Sequence, residues 1–151
     1  GLAAFKAVIG RMRMVKQKGL TILDDSYNAN PDSMKAALNT LDNFGCTRRR
    51  IAVLGDMLEL GLESSKKHRE IGKIIGQSGL DMIYTIGPQS QLLAQAALAT
   101  GIDLEKVHCY NTGEEQLLMS DLKANVHHGD VVLVKASHGM HLEKVVASLL
   151  K

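Results

Sequence analysis

Short apolar runs alternate with longer amphipathic segments along most of the chain. Five runs have the length and apolar character of strands: LTILDD (20–25), RIAVLGD (50–56), MIYTIG (82–87), VHCY (107–110) and DVVLVKAS (130–137). Several of them are apolar nearly throughout, which is typical of strands buried on both faces of a sheet. Four further segments have helical spacing, at about 64–77, 88–100, 113–125 and 140–150. This alternation predicts an α/β fold, with a mainly parallel sheet and helices on both faces.

The first helix is predicted directly after the first run. Asn30 and Ser33 are candidate N-caps, Pro31 suits a first helical turn, and Gly45 is a plausible end. The apolar positions with helical spacing in this segment are Met34, Ala37, Leu38 and Leu41.

The amino-terminal part has a different pattern. Residues 11–17 and 20–25 flank Lys18-Gly19, a pair that resembles a hairpin turn, so we expect a small antiparallel hairpin at one edge of the sheet. Residues 1–10 (GLAAFKAVIG) are interpreted as a short helix at the end of a preceding region.

Composition and charge narrow the class of protein. The chain has 151 residues and a net charge of +2, which gives no electrostatic argument for nucleic acid or a membrane surface. Cys46 and Cys109 lack CxxC spacing, so a reducing, cytoplasmic setting is expected. No apolar run approaches the ~20 residues needed to span a bilayer. A soluble single domain is therefore predicted.

Polar residues gather after three of the predicted strands, in DSYN (25–28), GDMLELG (55–61) and KASHGM (135–140). In an open parallel sheet, ligands bind beyond the carboxyl ends of the strands, near the N-termini of the following helices. The three clusters would meet at one edge of this sheet, which predicts a binding site there.

Each cluster also has a structural interpretation. Asp25 and Asn28 could satisfy the backbone of a turn, and Asp56 and Glu59 could stabilise the start of a helix. His68 is expected to be exposed or to contact a partner, because it lies on an amphipathic helix.

The histidines do not make a metal site evident. His138 and His141 lie three residues apart, so both could face one side of a helix and hold a metal ion. Without a third candidate ligand, surface histidines are favoured, and no metal site is predicted.

Several motifs for complete catalysis are absent. The sequence has no GxGxxG after a strand, no GxxxxGK[ST] and no GxSxG, and no convincing pair of a nucleophilic cysteine with a histidine. Acting alone, the chain is therefore a poor candidate for complete catalysis, and no catalytic residues are assigned to it.

Taken together, the motifs DDSYNANPDSMKAAL (24–38), GDMLELG (55–61) and VKASHGMHLEKVV (134–146) resemble the carboxy-terminal domain of the Mur ligases. The opening GLAAFKAVIGRM is similar to the hinge that leads into this domain. The resemblance spans essentially the whole chain. It implies a Rossmann-like domain over residues 13–151, preceded by a hinge remnant of a central ATPase domain at 1–12.

The resemblance also implies a function. The family members with these motifs are ATP-dependent ligases that add D-alanyl-D-alanine to UDP-N-acetylmuramoyl-tripeptide in peptidoglycan synthesis. ATP activates the terminal carboxylate of the tripeptide as an acyl phosphate, and the amine of the dipeptide attacks it. The phosphate loop and the Mg²⁺ ligands belong to the central domain, and the UDP site belongs to the amino-terminal one. The last domain would add nucleotide and dipeptide contacts when the domains close.

By the same resemblance, five residues are expected to bind ATP. Arg11 matches a hinge arginine near the nucleotide, where a planar guanidinium suits a polyphosphate. Asp25 matches an aspartate that accepts hydrogen bonds from the ribose hydroxyls. Tyr27, Asn28 and Asn30 match the loop that lies against adenine.

Three residues match a KGSR-like motif near the dipeptide: Lys135, Ser137 and His138. Ala136 stands where glycine is common, and His138 stands where arginine is often seen. An imidazole is charged only when protonated, so Lys135 is expected to bind more of the dipeptide carboxylate. Two more residues are assigned to the rim of the active site: Asp56 and Glu59.

Two alternatives stay open at this point. The first is a free-standing α/β module that binds a nucleotide or another small ligand without a reaction of its own. The second is a protein-interaction domain that uses the basic run Arg48–Arg50. Only the positive charge of this run supports that alternative.

Overall fold

The computed structural model describes residues 5–9, 12–45 and 48–151. Its strands are β1 (Phe5–Ile9), β2 (Met12–Gln17), β3 (Leu20–Asp25), β4 (Arg50–Gly55), β5 (Met82–Ile86), β6 (Val107–Tyr110) and β7 (Val131–Lys135). Its α-helices are α1 (Pro31–Asp42), α2 (Ser64–Gly76), α3 (Pro88–Ala99), α4 (Glu115–Asn125) and α5 (Glu143–Leu149). None of the helices in the described ranges is long and apolar enough to cross a membrane.

The strands form one sheet in the order β1-β2-β3-β7-β4-β5-β6. The five strands from β3 to β6 in this order are parallel, whereas β2 pairs antiparallel with both β3 and β1. The predicted mainly parallel sheet with an antiparallel hairpin at its edge is therefore confirmed.

Helices cover both faces of the sheet, as predicted. Successive strand residues point to opposite faces, so Leu23 packs with α1, α2 and α3, whereas Ile22 packs with α4 and α5. The first of these faces is tight where α2 meets α3. A Cβ at Gly72 would come within 2.1 Å of the backbone oxygen of Leu93, so this crossing requires a glycine.

The amino-terminal helix predicted over residues 1–10 is wrong for the described part of that segment. Residues 5–9 form β1, in which Phe5 lies opposite Lys16 and Ile9 lies opposite Met12. An FKAVI segment fits a strand as well as a helix end, and the neighbouring strand decides between them. This pairing could not be read from local periodicity.

The last helix also begins later than predicted. Residues His138–Met140 form a 3-10 turn, and His141 adopts a left-handed conformation with φ 55°. The α-helix starts only at Glu143.

The order of the strands creates a crevice at one edge of the sheet. β3 and β7 are parallel neighbours, but the chain leaves β3 towards α1 on one face and leaves β7 towards α5 on the other. Diverging connections of this kind open a space at the carboxyl ends of the two strands, where ligands bind in open α/β sheets.

Candidate functional site

A cavity of about 1080 Å³ lies at this crevice. Six of the predicted site residues line it: Asp25, Tyr27, Asn28, Asn30, Lys135 and His138. Residues of β2 and α1 complete its walls, among them Met12, Arg13, Ser33, Ala36 and Thr40. Two of the three polar clusters, those that follow β3 and β7, therefore line one cavity.

The loop from β3 to α1 is fixed by the side chain of Asp24. Oδ1 of this buried carboxylate accepts hydrogen bonds from the backbone N–H of Ser26 at 3.1 Å and from its hydroxyl at 2.6 Å. Arg13 donates to the other carboxylate oxygen. Asp24 therefore satisfies the turn, a task for which the sequence suggested Asp25.

Asn30 caps α1. Its Oδ1 accepts a hydrogen bond from the backbone N–H of Ser33 at 2.8 Å, and its own N–H donates to the Ser33 hydroxyl at 3.0 Å. This reciprocal capping box fixes the end of the loop. Asn30 thus has a structural role at the cavity wall, whatever it contacts in a ligand.

The side chains of Tyr27 and Asn28 project from this fixed loop. Tyr27 is 75% exposed. Its ring lies against that of His138, with 4.7 Å between the ring centroids and 41° between the planes. The two polar loops therefore touch at the mouth of the cavity.

Lys135 and Asp25 are ion-paired at the floor of the cavity. Nζ of Lys135 donates to Oδ2 of Asp25 at 2.7 Å and to the backbone oxygen of Asn28 at 2.8 Å. The lysine side chain is 1% exposed and the aspartate side chain is 15% exposed. Lys135 is therefore held inside the protein rather than displayed as a free cation.

Ser137 connects the loop after β7 to the loop after β4. Its hydroxyl accepts a hydrogen bond from the backbone N–H of Leu58 at 2.8 Å, and its own N–H donates to the backbone oxygen of Asp56 at 3.2 Å. Ser137 is buried and does not line the cavity.

Asp56 and Glu59 also lie away from the cavity lining. Asp56 is buried, and Oδ1 accepts hydrogen bonds from the N–H and the hydroxyl of Ser90 at 2.7 and 2.8 Å, at the start of α3. A Cβ at Gly87, where φ is +112°, would come within 2.6 Å of that carboxylate. Glu59 is exposed and has a left-handed backbone with φ 63°. The structure therefore does not bring these two residues to the site formed by β3 and β7.

A protein-family model matches most of the chain and shows which family it belongs to. The family model of the Mur ligase, glutamate ligase domain, matches residues 10–138. The chain belongs to the Mur ligase family.

Two curated relatives of the chain have the same name. The chain is 36% identical over 152 residues to the UDP-N-acetylmuramoyl-tripeptide–D-alanyl-D-alanine ligase of Bacillus subtilis, covering 100% of the chain and 33% of that protein. It is 34% identical to the enzyme of the same name from Escherichia coli, covering 99% of the chain and 31% of that protein. The chain thus spans about a third of the length of these relatives.

Solved structures show the same similarity. MurF ligase from Thermotoga maritima, in complex with ADP, superposes with a TM-score of 0.76 at 30% identity, covering 97% of this chain and 31% of that one. A MurF structure from Acinetobacter baumannii gives a TM-score of 0.77 at 26% identity, with 95% and 31% covered. The fold of this Mur ligase domain is therefore that of a MurF domain.

One buried residue of the Mur ligase domain was missed in the sequence. His68 is 0% exposed, so its predicted exposure is wrong. Its Nε2 accepts a hydrogen bond from the backbone N–H of Met57 at 3.0 Å, and Nδ1 donates to the backbone oxygen of Ser64 at 2.7 Å. The available signal was its helical spacing from Ile71 and Ile75, which lie on the same buried face.

The basic run is largely structural. Arg49 donates to the buried carboxylate of Asp130 at 2.9 Å, and this hydrogen bond raises the pKa of Arg49 against the opposing effect of desolvation. Arg50 donates to the backbone oxygen of Phe44 at 2.6 Å. Only Arg48 is half-exposed, which weakens the interpretation of this run as an interaction surface.

Arg11, which was predicted to contact the nucleotide, lies outside the described residues.

The charges around the cavity indicate what kind of ligand fits. Among the described residues that line it, the two permanent cations, Arg13 and Lys135, are each paired with an aspartate. Glu143 adds a further carboxylate. A polyphosphate would find no unpaired guanidinium or ammonium on this described wall. The hydroxyls and base of a nucleoside suit it better, because carboxylates accept from hydroxyls and Tyr27 offers an aromatic face.

Proposed function

We propose that this chain is the carboxy-terminal domain of an ATP-dependent ligase that joins D-alanyl-D-alanine to UDP-N-acetylmuramoyl-tripeptide. The proposal depends on one observation above all: the loops after β3 and β7 meet at one cavity, through the contact of Tyr27 with His138. The reaction is inferred from the names of the relatives. The further domains are inferred from the length of the relatives, which are about three times as long as this chain. The chain would act with those domains and would be inactive alone.

The nucleoside end of ATP is proposed to occupy the part of the cavity beside β3 and α1. Asp25 would accept hydrogen bonds from the ribose hydroxyls, and the exposed ring of Tyr27 would pack against adenine. The side chains of Asn28 and Asn30 would contact the edge of the base, since an amide both donates and accepts. The MurF ligase from Thermotoga maritima was solved in complex with ADP, which supports a nucleotide as a ligand of the longer protein that contains this chain.

The phosphates and Mg²⁺ are proposed to be held mainly by the central domain. In the described part of the chain, no three His, Cys, Asp or Glu side chains are grouped to hold a metal ion. Arg11 would approach the phosphates from the hinge. ATP supplies the phosphoryl group that activates the tripeptide carboxylate, and closure of this domain would exclude water from the acyl phosphate.

The dipeptide is proposed to lie beside the loop after β7. His138 is exposed and lines the cavity, so a ring N–H can donate to the carboxylate of D-alanyl-D-alanine. Ser137 would act indirectly, by holding this loop against the loop after β4. We propose no dipeptide contact for Lys135, because its ammonium group is buried against Asp25.

The remaining proposals concern the context of the chain. Residues 13–151 would form the domain, and residues 1–12 would lead into it from the central ATPase domain, with 5–9 in strand form. We place the enzyme in the cytoplasm, where ATP and the UDP-linked substrate are found.

The test is a ligation assay on the longer protein that contains this chain. ATP, UDP-N-acetylmuramoyl-tripeptide and D-alanyl-D-alanine are supplied together, and phosphate release and the mass of the product are measured. We expect phosphate release that requires both substrates, and a product heavier by the dipeptide less one water. L-alanyl-L-alanine is the matched control for the acceptor. Nucleotide binding without a product would instead support the module without a reaction.

A further inference from the structure

We infer that Lys135 is a positioning residue for the nucleoside half of the site, and that it does not bind the dipeptide. This inference rests on the proposed function and names the residue that orients Asp25. It reassigns a lysine that the sequence placed with the acceptor substrate.

The register of the sheet places Lys135 beside Asp25. Asp25 and Lys135 are the last residues of the neighbouring parallel strands β3 and β7, and they lie directly opposite each other. Their side chains leave the sheet side by side at its carboxyl edge. The separation of 110 residues along the chain is therefore closed by the strand pairing itself.

The ammonium group of Lys135 is buried. A lysine side chain that is 1% exposed needs its charge compensated, and the carboxylate of Asp25 at 2.7 Å provides this. A carboxylate arriving with a dipeptide would have to displace Asp25 or enter a buried space already filled by the pair. Lys135 is thus poorly placed to receive a substrate carboxylate.

Lys135 also fixes two parts of the proposed nucleoside site at once. One N–H holds Oδ2 of Asp25, and another holds the backbone oxygen of Asn28, inside the loop that displays Tyr27. Within the described residues, the hydrogen bonds of Asp25 leave its Oδ1 available for a ribose hydroxyl. The lysine therefore orients both the acceptor and the loop before the ligand arrives, which lowers the entropy cost of binding.

The test separates the two roles by the Michaelis constants of the longer enzyme. The variants are Lys135→Met, Asp25→Asn and the double variant. Lys123→Met on α4 is the control, because its side chain is exposed on the other face of the sheet. If Lys135 positions Asp25, Lys135→Met raises the KM for ATP by at least about tenfold, and the KM for the dipeptide stays within about twofold. The double variant is then no worse than the stronger single one, because both act through the same contact.

Two results would overturn the inference. One is a KM for the dipeptide that rises about tenfold in Lys135→Met while the KM for ATP is unchanged. The other is a pair of effects on ATP that multiply in the double variant. If Lys135→Met does not fold, Lys135→Gln replaces it, since an amide can still donate to one of the two acceptors without a charge.

Failure of the proposed function would be recognised separately. If the wild-type enzyme forms no product, the dissociation constant for adenosine is measured on the same variants. Adenosine bound by the wild type and weakened by Lys135→Met supports the positioning role without the ligase reaction. If the wild type does not bind adenosine, the positioning role of Lys135 is overturned as well, because Asp25 then binds no nucleoside.

Discussion

The ring of Tyr27, in the loop after β3, packs against the ring of His138, in the turn after β7, with their centroids 4.7 Å apart. The sequence predicts contacts of these two residues with different ligands, Tyr27 with adenine and His138 with the dipeptide. Because the two rings are in contact, the proposed nucleotide site and the proposed dipeptide site are neighbours in one cavity. This arrangement fits a ligase in which nucleotide and acceptor both bind at the carboxyl ends of the same parallel strands.

Replacing Tyr27 by leucine should weaken nucleotide binding. Stacking of a base on an aromatic ring contributes about 1–3 kcal/mol, so the KM for ATP in the longer enzyme should rise about 5- to 150-fold. Tyr27→Phe is the matched control, since it keeps the ring and removes only the hydroxyl. Equal KM values for the leucine and phenylalanine variants would show that the ring does not contact the base.

Replacing His68 by alanine should destabilise the domain. The change leaves the backbone N–H of Met57 without its acceptor and opens a cavity at a fully buried position, for a combined loss of about 2–4 kcal/mol. Urea unfolding measures this loss. His127→Ala, at an exposed position, should change the free energy of unfolding by less than about 0.5 kcal/mol. Equal unfolding midpoints for the two variants would mean that the buried contacts of His68 contribute nothing.

The parallel strands and the helices could be predicted because their signals are local. The run VVLV indicates a buried strand by itself, and Asn30 with Pro31 indicates the start of α1. The strand β1 could not be recognised, since its assignment depends on pairing with β2. The same holds for the site: its residue types were visible, but the pairing of Lys135 with Asp25 follows from sheet register. The structural role of Asp56 could not be predicted because its partner, Ser90, lies 34 residues away along the chain. The burial of His68 did have a local signal, its helical spacing from Ile71 and Ile75.

Replacing Asp56 by alanine should lower stability without changing substrate binding. The N–H and hydroxyl of Ser90 would lose a buried acceptor at the start of α3, at a cost of about 1–3 kcal/mol. Asp103→Ala is the control at an exposed position. At a temperature where the variant is folded, the KM values of the longer enzyme should match those of the wild type. A raised KM with unchanged stability would instead restore Asp56 to the rim of the active site.

Stability should fall in alkaline solution partly through Tyr110. Burial, together with the hydrogen bond that its hydroxyl donates to Asp121 at 2.7 Å, raises the pKa of Tyr110 above the ordinary value. The folded state therefore holds this proton more tightly than the unfolded state. The resulting stabilisation is complete below the ordinary tyrosine pKa of about 10 and is lost as the pH rises further.

The variant Tyr110→Phe isolates this effect. It should be less stable than the wild type by about 0.5–1.5 kcal/mol at pH 7, because the bond to Asp121 is gone. The difference should shrink above about pH 10 when urea unfolding is repeated there. A difference that is constant from neutral to alkaline pH would contradict a raised pKa of Tyr110.

The most direct test of a combined nucleotide and dipeptide site is a map of amide shifts in the isotope-labelled chain. ADP and D-alanyl-D-alanine are titrated separately by NMR, to millimolar concentration. We predict that ADP shifts the amides of residues 25–30 and that the dipeptide shifts those around Ser137 and His138. Shifts confined to another edge of the sheet, or none at these residues with either ligand, would contradict a shared site between β3 and β7.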